Sequence, residues 1–195
     1  MSQTELLKIV ACCSIPCVLG YLGSAPVRKN YEKYHKEIHH PWFEPSPNVY
    51  RPIWTGLFLT FGFASYLVTF QPETDVPPQR ALFYYGCCLI LQTYAPYLMF
   101  NRKLLASLFI MAFQWLFVTI TIFEFGLVNY DAALLTVPYL LWTVYSGYLN
   151  KVLWRMNQDK DLSIWQLEAE GKYGNFVKPK QASDANNAEP AAQTN

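Results

Sequence analysis

A chain of 195 residues with 52% apolar and only 15% charged residues has room for one domain. It carries too few charges for an ordinary soluble surface, where about a quarter of the residues are charged. Its formal net charge of +1 supplies no field for nucleic acid, and its polar residues are segregated into a stretch after residue 27, short connectors and a tail after residue 155.

A helix needs about 20 mainly apolar residues to cross a hydrocarbon layer of about 30 Å. Five stretches reach that length: Leu6–Val27, Val49–Phe70, Ala81–Phe100, Leu104–Gly126 and Ala132–Trp154. Helices and closed barrels are the two ways to satisfy a backbone in lipid, and these runs are too long and continuous for barrel strands. The expectation is an all-α integral membrane protein, a bundle of five transmembrane helices.

In chain order, the first span is interrupted by Pro16 and Pro26 and has Lys8 near its start. The charge cluster Arg28–Glu37 behind it and the lack of an A-x-A-like site argue against a cleaved signal peptide. Residues 28–48 read as a loop. Within it Pro41, Pro45 and Pro47 favour extended chain, and Pro52 suits the first turn of the second helix. Gly56, Gly62, Ala64 and Ser65 then allow close helix approach. Leu104–Thr121 is apolar on all faces, as a lipid-facing span is, and Glu124 lies close to the end of that span. Residues 1–157 form the predicted membrane domain; 158–195 is a polar tail expected to be cytosolic and largely disordered.

With five spans, one side carries Lys8 and Arg80. The other carries Arg28, Lys29, Lys33, Lys36, Arg102, Lys103, Lys151, Arg155, Lys160, Lys172, Lys178 and Lys180. The positive-inside rule puts that second side, with the C-terminus, in the cytosol. Trp42, Phe43, Trp154 and Trp165 fall near the expected interfaces, where amphipathic rings sit.

Cys12, Cys13, Cys17, Cys87 and Cys88 all lie inside spans and read as small hydrophobes. His35, His39 and His40 cluster in the first loop, either as haem or metal ligands or as a solvated surface. No metal site and no nucleophile–base set is assigned.

The segment Pro41–Val68 identifies a resemblance. Pro41, Pro45, Pro52, Trp54, Gly62, Tyr66, Leu67 and Val68 match, in register, the loop and second helix of the translocator protein family, also known as tryptophan-rich sensory proteins or peripheral-type benzodiazepine receptors. Pro138, Tyr139, Leu140, Trp142, Leu149, Asn150, Trp154 and Arg155 match its fifth helix, and Pro16, Gly23, Ser24 and Val27 its first. The similarity runs from about Ile9 to Asn157. The chain departs from the pattern in its third helix, where Thr93 and Ala95 replace two tryptophans. It departs again at Ser107, where a third tryptophan is missing, at Arg51, where the family has a small residue, and at Phe58, where it has tyrosine.

The resemblance implies a membrane receptor or transporter that binds cholesterol and tetrapyrroles (protoporphyrin IX, haem) inside the bundle, with no required cofactor. Its pocket would use Ser24, Val27, Tyr50, Ile53, Trp54, Gln92, Ala95, Trp142, Ser146, Leu149 and Asn150. Trp54 and Trp142 would wall a planar ligand, with Gln92 and Asn150 supplying polar contacts. Arg51 is added as a partner for a propionate. A sterol pattern is met by Val144, Tyr148 and Lys151, with Arg155 beside it. The alternatives are a porphyrin-degrading enzyme and a scaffold subunit with a vestigial pocket; catalysis is the less expected reading. Small residues at Gly20–Ser24 and Gly86–Cys87 suit a homodimer. The implied location is the mitochondrial outer membrane, or an outer or plasma membrane in a bacterium.

Overall fold

The computed structural model describes residues 2–161, without the side chains of Val27 and Asn30. The expected disorder of the tail and the interfacial placing of Trp165 lie outside the described residues. All regular structure among the described residues is helical: α1 (Gln3–Gly23), α2 (Ala25–Glu37), α3 (Pro47–Phe70), α4 (Gln79–Phe100), α5 (Leu104–Val128) and α6 (Tyr130–Met156), followed by one 3-10 turn at Gln158–Lys160. Of these, α1, α3, α5 and α6 are long and apolar enough to cross a membrane. The less apolar α4 carries Arg80, Gln92 and several tyrosines.

The first span does not open into a loop at residue 27. The Ser24 N–H donates to the Gly20 carbonyl at 3.0 Å, and Pro26 has no N–H to give to the Leu22 carbonyl, so α1 closes at Gly23. The Ser24 hydroxyl donates to the Tyr21 carbonyl at 2.8 Å, and Arg28 Nη1 donates to both groups, at 2.6 Å and 2.8 Å. Pro26 then sits in the first turn of α2, where a missing N–H costs little. The charged stretch expected as a loop is therefore helical to Glu37. Its turns carry i,i+4 spacing, and Tyr34 and Ile38 bury against Leu104, Leu149 and Leu153. Burial pushes the Tyr34 phenol pKa up.

The five long helices pack as a closed ring in the order α1, α3, α6, α5, α4, with α2 laid on α4. Glycines set the closest approaches. A Cβ on Gly62 would lie 2.5 Å from the Cα of Cys13, so α1 and α3 meet backbone to backbone. Gly23 meets the Thr93 carbonyl, and Gly147 lies under the Trp115 ring. Gly20, expected on a dimer face, receives the Phe58 ring of its own chain, whereas Gly86 faces open space.

Helix α3 starts two residues earlier than the predicted span, with Pro47 in its first turn and Pro52 inside it. At the far end, Asn129 is the whole α5–α6 connection. Its Oδ1 caps α6 by accepting from Ala132 N–H at 3.0 Å, and its Nδ2 donates to the Gln71 carbonyl at 2.9 Å. Glu124, near the end of its span as expected, is buried and pairs with Arg80 Nε at 2.8 Å.

The packed chain continues past α6. Asn157 receives the His39 N–H at 2.7 Å and donates to the His39 carbonyl at 2.9 Å. Asp161 accepts from the N–H groups of Leu104 and Leu105 at 3.1 and 2.9 Å, capping α5 as an N-terminal carboxylate does. Both side chains are fully buried.

Candidate ligand site

Two helix faces build the site. On α3, Tyr50, Trp54, Phe58 and Phe61 follow one another at helical spacing. On α6, Tyr139, Trp142, Ser146 and Asn150 do the same. Where α3 meets α6, the Trp54 ring lies 6.1 Å from Tyr50, 6.4 Å from Trp142, 6.0 Å from Tyr139 and 5.4 Å from Phe58. Tyr50 lies 5.7 Å from Trp142, and Tyr139 stacks on Phe61 at 4.5 Å. These are ordinary separations for interacting rings, and they make one continuous aromatic wall.

Polar groups line the same face of α6. The Tyr139 hydroxyl donates to Gln92 Oε1 of α4 at 3.2 Å and accepts from Gln114 Nε2 of α5 at 3.0 Å, tying three helices in the core. Asn150 Nδ2 donates to Ser107 Oγ at 2.8 Å, and Ser107 donates on to the Ala95 carbonyl at 3.4 Å. These bonds leave open atoms. Trp142 Nε1, Ser146 Oγ and Asn150 Oδ1 are buried with no hydrogen-bond partner among the described residues. The Tyr50 hydroxyl comes near the Trp54 and Ser146 side chains without the geometry of a hydrogen bond. At four-residue spacing the three open atoms form a line about 12 Å long on α6.

Of the predicted pocket residues, Tyr50, Trp54, Trp142 and Ser146 come together. Gln92, Ala95 and Asn150 join through the bonds just described, and Ile53 packs against the same core. Leu149 lies in the separate cluster with Tyr34 and Leu153. Ser24 is engaged in the helix break. Arg51 is exposed, about a third of a turn from the Tyr50 face, and its carbonyl accepts from Thr55. The Val27 side chain lies outside the described residues. Val144, Tyr148, Lys151 and Arg155 form an exposed stripe on the outer face of α6, with Tyr148 stacked on Phe43 at 5.9 Å.

The predicted pocket leaves out Tyr139, Gln114, Ser107 and Tyr145, whose hydroxyl donates to the Phe43 carbonyl at 3.0 Å and straps the α2–α3 loop to α6. Gln114 had a signal: it is a lone amide in the most apolar span, where a polar group needs a partner. A groove of about 280 Å³ runs between α1 and α4, lined by Leu19, Leu89, Ile90, Thr93 and Tyr94. It lies at Thr93, where the resemblance has a tryptophan. In the α2–α3 loop His40 Nδ1 pairs with Glu44, and the ring of His35, in the last turn of α2, packs 4.1 Å from that of His40.

A ring of apolar helices around an aromatic wall, its polar atoms buried between the helices, defines an integral membrane protein. The TspO/MBR family model matches residues 12–155, and the chain belongs to that family. It is 28% identical over 155 residues to the tryptophan-rich protein TspO of Chlorobaculum tepidum, covering 78% of this chain and 98% of that one. It is 26% identical over 161 residues to the tryptophan-rich sensory protein of Cereibacter sphaeroides, covering 82% and 96%. It is 27% identical over 152 residues to the translocator protein of Ovis aries, covering 75% and 88%.

Proposed function

We propose that this translocator-like membrane protein crosses the bilayer five times, through α1, α3, α4, α5 and α6, and binds tetrapyrroles and sterols between α3, α4 and α6. The observation that carries the reading is the line of Trp142 Nε1, Ser146 Oγ and Asn150 Oδ1, buried beside the Tyr50–Trp54 wall without a hydrogen-bond partner among the described residues. A buried polar atom without a partner costs about 1–3 kcal/mol, and a ligand with an acceptor for the indole N–H and a donor for the amide oxygen would relieve it. The flat rings give a planar apolar molecule its contact area. The α4 helix supports a fifth crossing because its 22 residues measure about 33 Å and it closes the ring between α1 and α5. The side rich in lysine and arginine faces the cytosol, and the outer stripe Val144–Tyr148–Lys151–Arg155 is the second place where a sterol meets the protein.

Photoaffinity labelling tests the reading. A porphyrin carrying a photoreactive group, bound to the full chain in detergent, should label peptides containing residues 50–58 and 139–150, and unlabelled protoporphyrin IX should suppress that labelling. Labelling confined to the outer faces of the helices, or not displaced by the unlabelled compound, would contradict it.

A further inference from the structure

We propose that the outward face of α2, made by Lys29, Lys33 and Lys36, binds the anionic phospholipid head groups of the leaflet at which α1 ends. At 100° per residue the three lysines fall within about 60° of the helix circumference, while Tyr34 and Ile38 lie about 140° and 180° from Lys29. The structure matches this division: the three lysines are exposed, and Tyr34 and Ile38 are 3% and 4% exposed. Their burial fixes the roll of α2 on α4, so the lysine face is held outward.

The nearby charges leave that face cationic. Arg28 is occupied by Ser24 and Tyr21, with its guanidinium 3.9 Å over the Tyr21 ring. Glu37 pairs with Arg102 at 3.4 Å. Glu32 is exposed at the border of the lysine face, about 60° from Lys29. Among the described residues none of the three lysines forms an ion pair.

Depth then selects a lipid over a soluble partner. Gly23 packs on Thr93, about 10 Å short of the end of α4, and the Tyr34 ring packs on Phe100 at that end, 4.5 Å between centroids. The helix α2 therefore runs along the last two turns of α4, with Lys29 about 8 Å before Tyr34 and Lys36 about 3 Å beyond it. That range brackets the end of a helix of span length, where lysine side chains reach the head-group layer. A lysine in that zone strengthens association with an anionic surface about fivefold.

The full chain is reconstituted in phosphatidylcholine bilayers containing a minor fraction of phosphatidylserine. The preference of spin-labelled phosphatidylserine over spin-labelled phosphatidylcholine for the protein surface is then measured. The wild type should favour the anionic lipid several-fold at low salt. The combined Lys29→Gln, Lys33→Gln, Lys36→Gln variant should lose most of that preference with an unchanged thermal midpoint, and the corresponding triple arginine variant should keep it. An unchanged preference in the glutamine variant, or none in the wild type, overturns the proposal and leaves the face to a protein partner. Displacement of the labelled lipid by inorganic phosphate beyond that by chloride at equal ionic strength also overturns it, because the site would then recognise free phosphate.

Discussion

The hydroxyl of Tyr139 on α6 donates to Gln92 Oε1 on α4 at 3.2 Å, in a part of the bundle where both residues are buried. Gln114 completes the junction from α5, so one phenol joins three helices behind the aromatic wall. Tyr139→Phe keeps the ring stack on Phe61 and strands two amides. The expected loss is about 1–3 kcal/mol, read as a lower thermal unfolding midpoint in detergent. A variant that also carries Gln92→Leu and Gln114→Leu should recover part of that loss, because it no longer buries the stranded groups.

Two glycines on different helix faces should respond in opposite ways. Gly62→Ala puts a methyl 2.5 Å from the Cα of Cys13, whereas Gly86→Ala meets nothing within 4 Å. The first should cost about 1–3 kcal/mol, because backbone cannot rotate away as a side chain can. The second should be neutral or slightly stabilising. Thermal midpoints of the two variants, measured side by side, check the contrast.

Arg80 and Glu124 form an asymmetric pair: the arginine side chain is 62% exposed and the glutamate 11%. Arg80→Ala leaves a largely buried carboxylate without its counter-ion, while Glu124→Gln leaves a cation that can turn to water. The arginine variant should therefore be the less stable of the two, since an unpaired buried charge is the costlier loss. Equal midpoints would show that the pair is solvated in the bilayer.

Asn157 holds the α2–α3 loop through both backbone groups of His39. Asn157→Ala should raise amide hydrogen exchange across residues 38–46 while the helices keep their protection. Asp161→Ala should instead expose the first turn of α5, at the usual cost of about 0.5–2 kcal/mol for a lost helix cap.

Much of this architecture is legible in the amino-acid order because lipid allows few choices. Apolar runs of span length become helices, and the helix ends at Phe70 and Phe100 and the start at Leu104 fall where the runs end or begin. The wall formed by Tyr50, Trp54 and Trp142 follows from helical spacing together with the family pattern. The helix α2 was not legible as structure, because a charged stretch after a span reads as solvated loop until its Tyr34 and Ile38 are seen to bury. The contacts of Asn157 and Asp161 were hidden for a related reason. Polar residues beyond the last span look like tail, and only their three-dimensional return to His39 and Leu104 reveals them as caps. Ser24 shows the converse, since a matching motif position turned out to be a helix-break residue.

The most direct measurement is a protoporphyrin IX titration of the purified full chain, followed by tryptophan quenching, with Trp142→Phe, Asn150→Leu and Trp54→Ala in parallel. Trp142→Phe keeps a ring and removes the open N–H, and Asn150→Leu removes the open acceptor. If ligand answers these atoms, binding is saturable in the wild type and weakens about tenfold in each of those two, the worth of one buried hydrogen bond. It should weaken further in Trp54→Ala, where the wall is lost. Folded variants that all bind as the wild type does, or a wild type that shows no saturable quenching, would contradict a tetrapyrrole site between α3 and α6.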